Sequence, residues 1–365
     1  MLDKKKFYIN GEWVNPKSNQ TIDIINPATE DVCAEISLGN KDDVNEAVQS
    51  AKTAFKTWAF STKEERLAPL EKLYELYKKR WADIAEAITL EMGAPKDFAT
   101  KLQAGTGAAH IKTFIRYLKE FNFEKPLGEH AKNQRIIYEP KGVCALITPW
   151  NWPMNQTCLK VMPAIASGCT MVLKPSEVAP LSAMILAELI HEAKFPKGVF
   201  NLVNGDGAHT GDALTSHPDI NMISFTGSTR AGALISQNAA KDFKRVSLEL
   251  GGKGANIIFK DADPKAIERG ALRCFRNSGQ SCNAPTRMLV EKSMYSQAVE
   301  RVKQFANEMK VGDPNKEGEH IGPVVSEVQY KKIQSLIQKG IDEGATLVAG
   351  GTGKPDGIEK GYFVK

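Results

Sequence analysis

Residues 142–149, Gly-Val-Cys-Ala-Leu-Ile-Thr-Pro, form the stretch of this chain that decides its fold. The run is short and almost wholly apolar, and Gly142 and Pro149 at its ends favour chain turns. Such a run is typical of a strand that is buried on both faces, as strands in parallel sheets are. We therefore expect this strand to lie inside an α/β sheet.

Helical stretches and apolar runs alternate in the residues that follow. Helices are predicted at Leu159–Ala166, at Ser182–Ala193 and from Gly211–Leu214 onward. This alternation favours an open, Rossmann-like parallel sheet that binds its ligands at the carboxyl ends of the strands. Further strands are predicted at Thr170–Leu173, Val199–Val203, Met222–Phe225 and Ala255–Phe259.

The remaining segments flank this sheet on both sides in the chain. Phe7–Asn26 is predicted to form a hairpin that turns at Asn10-Gly11. A domain boundary is expected near Gly251-Gly252, where the sheet pattern ends. Short strands are predicted at Gln134–Glu139, Thr346–Val348 and Tyr362–Val364. Helices are predicted at Asp42–Phe55, Thr62–Gly93, Thr106–Phe121, Asp263–Phe275, Tyr295–Met309 and Val325–Gly344.

Composition excludes several classes of protein. The chain has 365 residues, of which 42% are hydrophobic and 25% charged, as in an ordinary globular protein of two domains. The net charge of +5 comes from interspersed charges, so we expect no nucleic-acid partner. No apolar run resembles a secretory signal or reaches membrane-spanning length. The six cysteines are scattered without Cys/His spacing, so we expect no metal site and a cytoplasmic protein with free thiols.

One cysteine lies in a setting that suits a nucleophile. Cys282 is in the centre of Asn277–Arg287, Asn-Ser-Gly-Gln-Ser-Cys-Asn-Ala-Pro-Thr-Arg, a stretch too polar for a core strand and too broken for a helix. A substrate can approach a thiol closely on such a small-residue loop, and backbone N–H groups there can point at an oxyanion. The alternative is an inert cysteine beside a loop.

Polar residues follow two of the predicted strands. Thr148–Pro153, Thr-Pro-Trp-Asn-Trp-Pro, offers the amide of Asn151 on a rigid turn, although Asn in such a place is usually turn chemistry. Lys174 and Glu177 follow the next strand and could hold a ribose, because an acidic residue binds ribose hydroxyls. A surface ion pair is the alternative reading.

Two glycine-containing turns and one carboxylate complete the candidate site. Asn204–Gly211 and Phe225–Gly232 each follow a strand and open a helix, as a dinucleotide site requires, although neither is a clean G-x-G-x-x-G. Glu249 lies between Leu248 and Leu250, so we expect an apolar setting that raises its pKa and suits a general base. A structural glutamate is the alternative.

Together these segments resemble the NAD(P)-dependent aldehyde dehydrogenase superfamily over the whole chain. The resemblance rests on Thr148–Pro153, Lys174–Glu177, Phe225–Gly232, Glu249–Lys253 and Gly279–Cys282, in the family's order. It implies that Cys282 is the nucleophile, that Asn151 and the Cys282 N–H form an oxyanion hole, and that Glu249 activates the hydrolytic water.

The resemblance also implies NAD as the cofactor in preference to NADP, and an aldehyde as the substrate. It further implies a homodimer or homotetramer. The residues that it assigns to the cofactor are Ile147, Thr148, Pro149, Trp150, Lys174, Ser176, Glu177, Gly207, Gly211, Phe225, Thr226, Gly227, Ser228, Gly232, Leu250 and Gly251. The other five cysteines match no catalytic position.

The resemblance divides the chain into three parts. An NAD-binding domain spans 1–121 and 141–252, a β oligomerisation segment spans 122–140, and an α/β catalytic domain starts at 253. Family members continue beyond the length seen here, with a Glu-x-Phe-Gly-Pro motif and a last strand that pairs with the oligomerisation segment. We therefore expect residues 1–365 alone to be poorly soluble or partly disordered beyond Gly252, and inactive.

Two other functions stay open at this stage. One is a catalytically inactive or truncated relative with a structural or binding role. The other is a CoA-acylating enzyme of the same fold, in which CoA replaces water at the thioester. Retention of Glu249 favours hydrolysis.

Overall fold

A computed structural model describes residues 1–365 as a mixed α/β protein. The strands are β1 Leu2–Asp3, β2 Phe7–Ile9, β3 Glu12–Val14, β4 Thr21–Ile25, β5 Val32–Ser37, β6 Glu124–Pro126, β7 Arg135–Ile137, β8 Val143–Ile147, β9 Thr170–Lys174, β10 Phe200–Leu202, β11 Met222–Gly227, β12 Arg245–Leu250, β13 Ala255–Ile258 and β14 Arg287–Val290. The helices are α1 Lys41–Trp58, α2 Lys63–Lys79, α3 Trp81–Met92, α4 Lys96–Phe98, α5 Gly105–Glu120, α6 Pro153–Ala166, α7 Leu181–Glu192, α8 Asp212–Ser216, α9 Thr229–Ala240, α10 Ala266–Phe275, α11 Tyr295–Glu308 and α12 Glu327–Asp342. Ala99–Ala104 and Gly207–Gly211 are π-helical, and short 3₁₀ turns lie at Glu129–Ala131, Arg276–Gly279 and Lys292–Met294.

The apolar run at 142–149 forms β8, the central parallel strand, as predicted. The largest sheet has seven strands in the order β12-β11-β8-β9-β10-β2-β3, and the first five are parallel. Successive side chains of a strand point to opposite faces. Accordingly, Cys144 and Leu146 lie in one core cluster, and Val143, Ala145 and Ile147 lie in another. The sheet is therefore covered on both faces, and the predicted fold class is confirmed.

One predicted strand belongs to a different sheet. The fifth parallel strand is β12, whereas β13 pairs with β14 in a separate two-stranded sheet. The sequence of β12, Arg-Val-Ser-Leu-Glu-Leu, alternates polar and apolar residues because this strand lies at the edge of the sheet and is partly exposed. Because β12 contains no wholly apolar run, the sequence pattern did not predict it as a strand of this sheet.

Several element boundaries also differ from the prediction. The hairpin at Asn10-Gly11 is confirmed, and both turn residues have positive φ, but β4 pairs with β5 in another sheet. The segment Thr62–Gly93 forms two helices that meet at Arg80, and α6 begins at Pro153, which suits a first helical position. Thr346–Val348 and Tyr362–Val364 are not strands, because neither finds a strand to pair with.

Burial is uneven along the chain. Clusters of 44 and 17 buried hydrophobic residues fill the two sides of the large sheet, whereas the third cluster contains only Ile258, Ile267 and Ala298. The large sheet and its helices therefore form the rigid frame beside which the later residues pack. None of the helices combines the length and the apolar content that a membrane span requires.

Candidate active site

The predicted site residues gather at one edge of the large sheet. Ile147, Lys174, Gly227 and Leu250 end four adjacent parallel strands. Across the ladders Ile147 is opposite both Lys174 and Phe225, and Gly227 is opposite Leu250. The chain proceeds from β8 to β9 on one side and later returns to β11 on the other, so a topological switch point lies beside β8. Ligands of open α/β sheets bind at such a crevice.

Lys174 and Glu177 are not a simple surface ion pair. Lys174 is buried, and its Nζ donates to the carbonyl oxygens of Pro175 and Gly205 and lies 3.5 Å from Glu177 Oε2. Burial lowers the pKa of Lys174, and the Glu177 carboxylate opposes this shift. Glu177 remains partly exposed, so its carboxylate is held beside the crevice while it is open to a ligand.

The two glycine-containing turns differ in construction. Ser228 caps α9 by accepting a hydrogen bond from the N–H of Ala231 at 3.2 Å. A Cβ at Gly232 would lie 2.8 Å from Leu250 Cδ2, so this glycine lets α9 pack against β12. Asp206 instead caps the π-helical turn that contains Gly207 and Gly211. A Cβ at Gly207 or Gly251 would meet no atom within 4 Å, so both backbones face open space.

The other predicted cofactor residues line the same edge. Thr226 Oγ1 accepts a hydrogen bond from Lys160 Nζ at 2.8 Å, so its hydroxyl is already engaged. Ser176 Oγ accepts from the N–H of Val178 at 3.4 Å. Thr148, Ser176, Phe225 and Thr226 are buried, whereas Pro149 and Trp150 are partly exposed in the loop after β8.

Cys282 follows an unusual backbone turn. After α10 ends, Asn277, Ser278 and Gly279 all adopt left-handed conformations, with φ values of 58°, 55° and 73°. This turn reverses the chain and leaves the Cys282 side chain half-buried. Burial raises the pKa of the Cys282 thiol, and the nearby Glu249 carboxylate raises it further by charge repulsion and hydrogen bonding. The Cys282 thiol and the Glu249 carboxylate are therefore close enough to interact.

Asn151 directly contacts the loop that carries Cys282, residues Asn277–Arg287, here called the cysteine loop. Its Nδ2 donates to the carbonyl oxygen of Gln280 at 2.8 Å, and the indole Nε1 of Trp152 donates to Ser281 Oγ at 2.8 Å. Because an amide nitrogen carries two hydrogens, Asn151 keeps one that can be offered to a ligand. The loop after β8 thus supplies a polar donor beside Cys282.

The predicted apolar setting of Glu249 is wrong. Glu249 is exposed in the crevice, although Leu248 and Leu250 flank it in sequence. In a strand the flanking side chains point to the opposite face, so two neighbouring leucines do not enclose the residue between them. An exposed carboxylate has direct access to water, which a base for hydrolysis requires.

Sequence reasoning missed Lys160, which lies behind Glu249. Its side chain projects from α6 and is buried, with Nζ 3.2 Å from Ser224 Oγ and 2.8 Å from Thr226 Oγ1. Burial lowers the pKa of Lys160 to about 8, and the Glu249 carboxylate opposes this shift. A lysine within the apolar stretch Cys-Leu-Lys-Val-Met was the available signal.

The other cysteines lie elsewhere. Cys274 is inside α10, as predicted, and burial raises its pKa. Cys144 and Cys169 are buried beside each other, and hydrogen bonds from Cys144, Ser167 and two backbone N–H groups lower the pKa of Cys169 to about 6 despite its burial. Cys169 is only 4% exposed, so a reagent in solution reaches it less readily than the half-buried Cys282.

Comparison with known proteins agrees with this geometry. Residues 13–365 match the aldehyde dehydrogenase family. Over its full length the chain is 49% identical to a 3-succinoylsemialdehyde-pyridine dehydrogenase from a Pseudomonas species, and it spans 76% of that protein. It is 44% identical to a putative aldehyde dehydrogenase of Staphylococcus aureus, of which it also spans 76%.

Solved structures give the same result. An aldehyde dehydrogenase from Bartonella henselae is 58% identical and superposes with a TM-score of 0.99, over 100% of this chain and 76% of that one. A cysteine-to-alanine mutant of aldehyde dehydrogenase C from Pseudomonas syringae, in complex with NAD⁺ and octanal, is 46% identical with a TM-score of 0.96, over 99% and 74% of the two chains. The resemblance drawn from the motifs is confirmed, and the chain belongs to the aldehyde dehydrogenase family.

Proposed function

We propose that this protein oxidises an aldehyde to a carboxylic acid with NAD as the hydride acceptor. The observation that carries the proposal is the convergence of Cys282, Asn151 and Glu249 at the carboxyl edge of the parallel sheet. A thiol, an amide donor and a water-accessible carboxylate are the groups that such a reaction needs.

Cys282 is the proposed nucleophile. The Cys282 thiol first loses its proton to solvent. The thiolate then attacks the aldehyde carbon, and the carbonyl π electrons move to oxygen to give the thiohemiacetal oxyanion. The free hydrogen on Asn151 Nδ2 and the backbone N–H of Cys282 stabilise the oxyanion. The Asn151 side chain is held against Gln280 at 2.8 Å, so the donor is oriented before the aldehyde arrives.

The crevice fits a dinucleotide. Gly207 and Gly251 face open space, the N-terminus of α9 offers N–H groups to a pyrophosphate, and Glu177 offers a carboxylate to a ribose. Two of the similar solved structures, from Pseudomonas syringae and Bacillus cereus, hold NAD⁺. When bound, NAD would supply the hydride acceptor for the thiohemiacetal carbon, and loss of that hydride would leave a thioester on Cys282.

Glu249 is the proposed base for hydrolysis. Its carboxylate takes a proton from a water that attacks the thioester, and Cys282 leaves as the thiolate. The Lys160 side chain lies near Glu249, whose carboxylate favours the charged form of the lysine. Residues 1–121 and 141–252 would then hold the cofactor, and residues from 253 onward would present the nucleophile.

The proposed substrate is an aldehyde, and two similar proteins indicate which kinds to test. One relative is named for a pyridine semialdehyde, and one similar structure contains octanal. These aldehydes differ in polarity and size, so the chain's own preference is found with a panel that includes an aliphatic aldehyde and a semialdehyde.

The test uses protein expressed from its complete reading frame. We expect aldehyde-dependent NADH absorbance without CoA, and loss of turnover in Cys282→Ala. Cys274→Ala, on the preceding helix, is the matched control and should keep normal turnover. Near-normal turnover of Cys282→Ala would refute the proposed nucleophile, and a strict requirement for CoA would favour the acylating reaction.

A further inference from the structure

The turn before Cys282 has an energetic cost that something else must offset. Asn277 and Ser278 are consecutive non-glycine residues with left-handed backbones. Each residue held in such a conformation costs on the order of 1 kcal/mol or more, and it persists only where surrounding contacts fix it. The contacts of Asn277 therefore determine whether the cysteine loop keeps its shape.

Asn277 is held by a buried side chain from the first part of the chain. Gln103 is fully buried in the π-helical segment Ala99–Ala104. Its Nε2 donates to Asn277 Oδ1 at 3.2 Å and to the carbonyl oxygen of Asn151 at 3.2 Å. Asn277 Nδ2 donates to the same Asn151 carbonyl at 2.9 Å. The carbonyl oxygen of Asn151 thus accepts hydrogen bonds from the side-chain amides of both Gln103 and Asn277.

This arrangement joins the two halves of the proposed oxyanion site. The Asn151 backbone is held by Gln103 and Asn277, while its side chain donates to Gln280 inside the cysteine loop. Gln280 Nε2 in turn donates to the Asn277 carbonyl at 3.1 Å, and its Oε1 accepts from Val325 N–H at 3.0 Å. In this hydrogen-bond network, Gln103 alone lies outside the loop after β8, the cysteine loop and the segment around Val325.

We propose that Gln103 is a positioning residue for the aldehyde oxidation described above, on which this inference rests. Through Asn277 it fixes the left-handed turn and thereby the separation between Cys282 and the Asn151 amide. Gln103 is too deeply buried to meet the aldehyde. Its effect on the reaction is therefore transmitted through the loop.

Loss of this amide has two predictable consequences. Asn277 Oδ1 would lose the donor from Gln103 in a buried position, which favours a relaxed loop. A misplacement of about 1 Å at a reacting centre can cost about 100-fold in rate. The pKa of Cys282 is raised mainly by burial, so a relaxed loop also exposes the thiol and increases its reactivity toward a small reagent.

The first experiment compares turnover with thiol labelling in Gln103→Leu, which keeps the side-chain volume. We expect kcat to fall by about 10- to 100-fold. Iodoacetamide alkylation of Cys282, located by peptide mass spectrometry, should become several times faster. The affinity for NAD and the alkylation rate of Cys274 should stay unchanged. General unfolding would instead accelerate both cysteines.

Thr89→Val is the matched control. Thr89 is also buried, and its hydroxyl has no hydrogen-bond partner, so the replacement should leave turnover and both alkylation rates unaltered. If this control loses as much activity as Gln103→Leu, the effect of Gln103 is a general core effect and the inference is wrong.

A double-mutant cycle tests the route through Asn277. Asn277→Gly removes the amide but accepts positive φ without strain. If Gln103 acts through Asn277, adding Gln103→Leu to this variant should lower kcat by less than about threefold, because the effects are not additive. Full multiplication of the two losses, or a single Gln103→Leu variant with normal kcat, would overturn the proposal.

The two proposals fail separately. If wild-type protein oxidises no aldehyde, the proposed function is refuted, and the alkylation of Cys282 still reports whether Gln103 holds the loop. If the wild-type protein oxidises the aldehyde normally but Cys282 is alkylated no faster in Gln103→Leu than in the wild type, the proposed function stands and the role of Gln103 is refuted.

Discussion

Residues 1–252, here called the sheet unit, and residues 253–365, the cysteine unit, differ sharply in packing. The twelve largest fully buried side chains all belong to the sheet unit. In the cysteine unit the one cluster of its own has three buried residues, and Ile257, Phe259, Leu289 and Val328 are 61%, 61%, 52% and 72% exposed. The thiol of Cys282, the proposed nucleophile, therefore belongs to the less densely packed of the two units.

The difference shows where the site obtains its rigidity. The cysteine loop is bound to the sheet unit through Gln103, Asn151 and Trp152. Ser278 Oγ also donates to the carbonyl of Gly322 at 2.7 Å, within a segment that packs on Gly93. A site at the contact between the two units can therefore be precise although the cysteine unit has a small core.

The largest expected effect is a loss of kcat from a substitution at the contact between the two units. Asn151→Ala should lower kcat by about 100- to 1000-fold, because it removes the proposed oxyanion donor. Asn155→Ala, in the first turn of α6 and bonded to His110 at 2.7 Å, is the control and should change kcat far less. Steady-state assays of both variants provide the measurement. Equal losses would mean that Asn151 has no special role.

Shortening an apolar side chain should lower the free energy of unfolding far more in the sheet unit than in the cysteine unit. Leu173→Ala in the fully buried β9 should lower the free energy of unfolding by about 3 kcal/mol, through lost burial and a cavity. Leu336→Ala in α12 should change it by less than about 0.5 kcal/mol, because this side chain is 56% exposed. Denaturant titrations measure both. Similar losses would contradict the unequal packing described here.

The sheet unit also contains a buried carboxyl whose ionisation should affect stability. Burial raises the pKa of Glu91 to about 7, although Leu181 N–H, Ser182 N–H and Ser182 Oγ all donate to its carboxylate. Between the ordinary pKa of 4.5 and about 7 the unfolded chain releases this proton while the folded chain retains it. The contribution of Glu91 to stability therefore falls as the pH rises through this window, by at most about 3 kcal/mol.

The variant Glu91→Gln should remove this pH dependence. We expect the difference in unfolding free energy between wild type and variant to change between pH 5 and pH 7.5 by on the order of 1–3 kcal/mol, with wild type relatively more stable at the lower pH. Denaturant titrations at several pH values measure it. A difference that is constant with pH would show that Glu91 does not titrate in this range.

The smallest expected effect is on the thiol. Because the Glu249 carboxylate helps to raise the pKa of Cys282, Glu249→Gln should shift the alkylation of Cys282 toward lower pH. The pH dependence of labelling at Cys282 measures the shift, with Cys274 as the internal reference. A shift to higher pH would mean that Glu249 acts as the base for Cys282 instead.

Cofactor preference gives a further, separate check. Glu177 would repel the 2′-phosphate of NADP, so kcat/KM should be higher with NAD. Glu177→Gln should narrow the ratio between the two cofactors. Equal or better use of NADP by the wild type would remove Glu177 from this role.

The sequence predicted the features that depend on local pattern. The apolar run of β8, the strand–turn–helix context of Ser228 and the small-residue loop at Cys282 are all continuous stretches. Because parallel strands end at one edge, those local predictions also brought Lys174 and Asn151 to the same crevice. The alternating edge strand β12 escaped because its pattern is that of a half-exposed strand.

What the sequence could not predict depends on contacts between distant segments. Gln103 and Asn277 are 174 residues apart, and neither lies in a pattern that pairs them. Lys160 acquires its depressed pKa from burial against β11, and Glu249 its exposure from the direction of one side chain. Homo-oligomerisation and the inactivity of 1–365 alone stay predictions.

The central claim is that an acyl group is carried on Cys282 and released through Glu249. The most direct measurement is rapid mixing of Glu249→Gln with NAD and an aldehyde, followed by peptide mass spectrometry. We predict a burst of NADH close to one per active site, then a stall, with the acyl mass on the peptide that contains Cys282. A burst with no mass added to Cys282, or steady turnover without accumulation, would contradict the account.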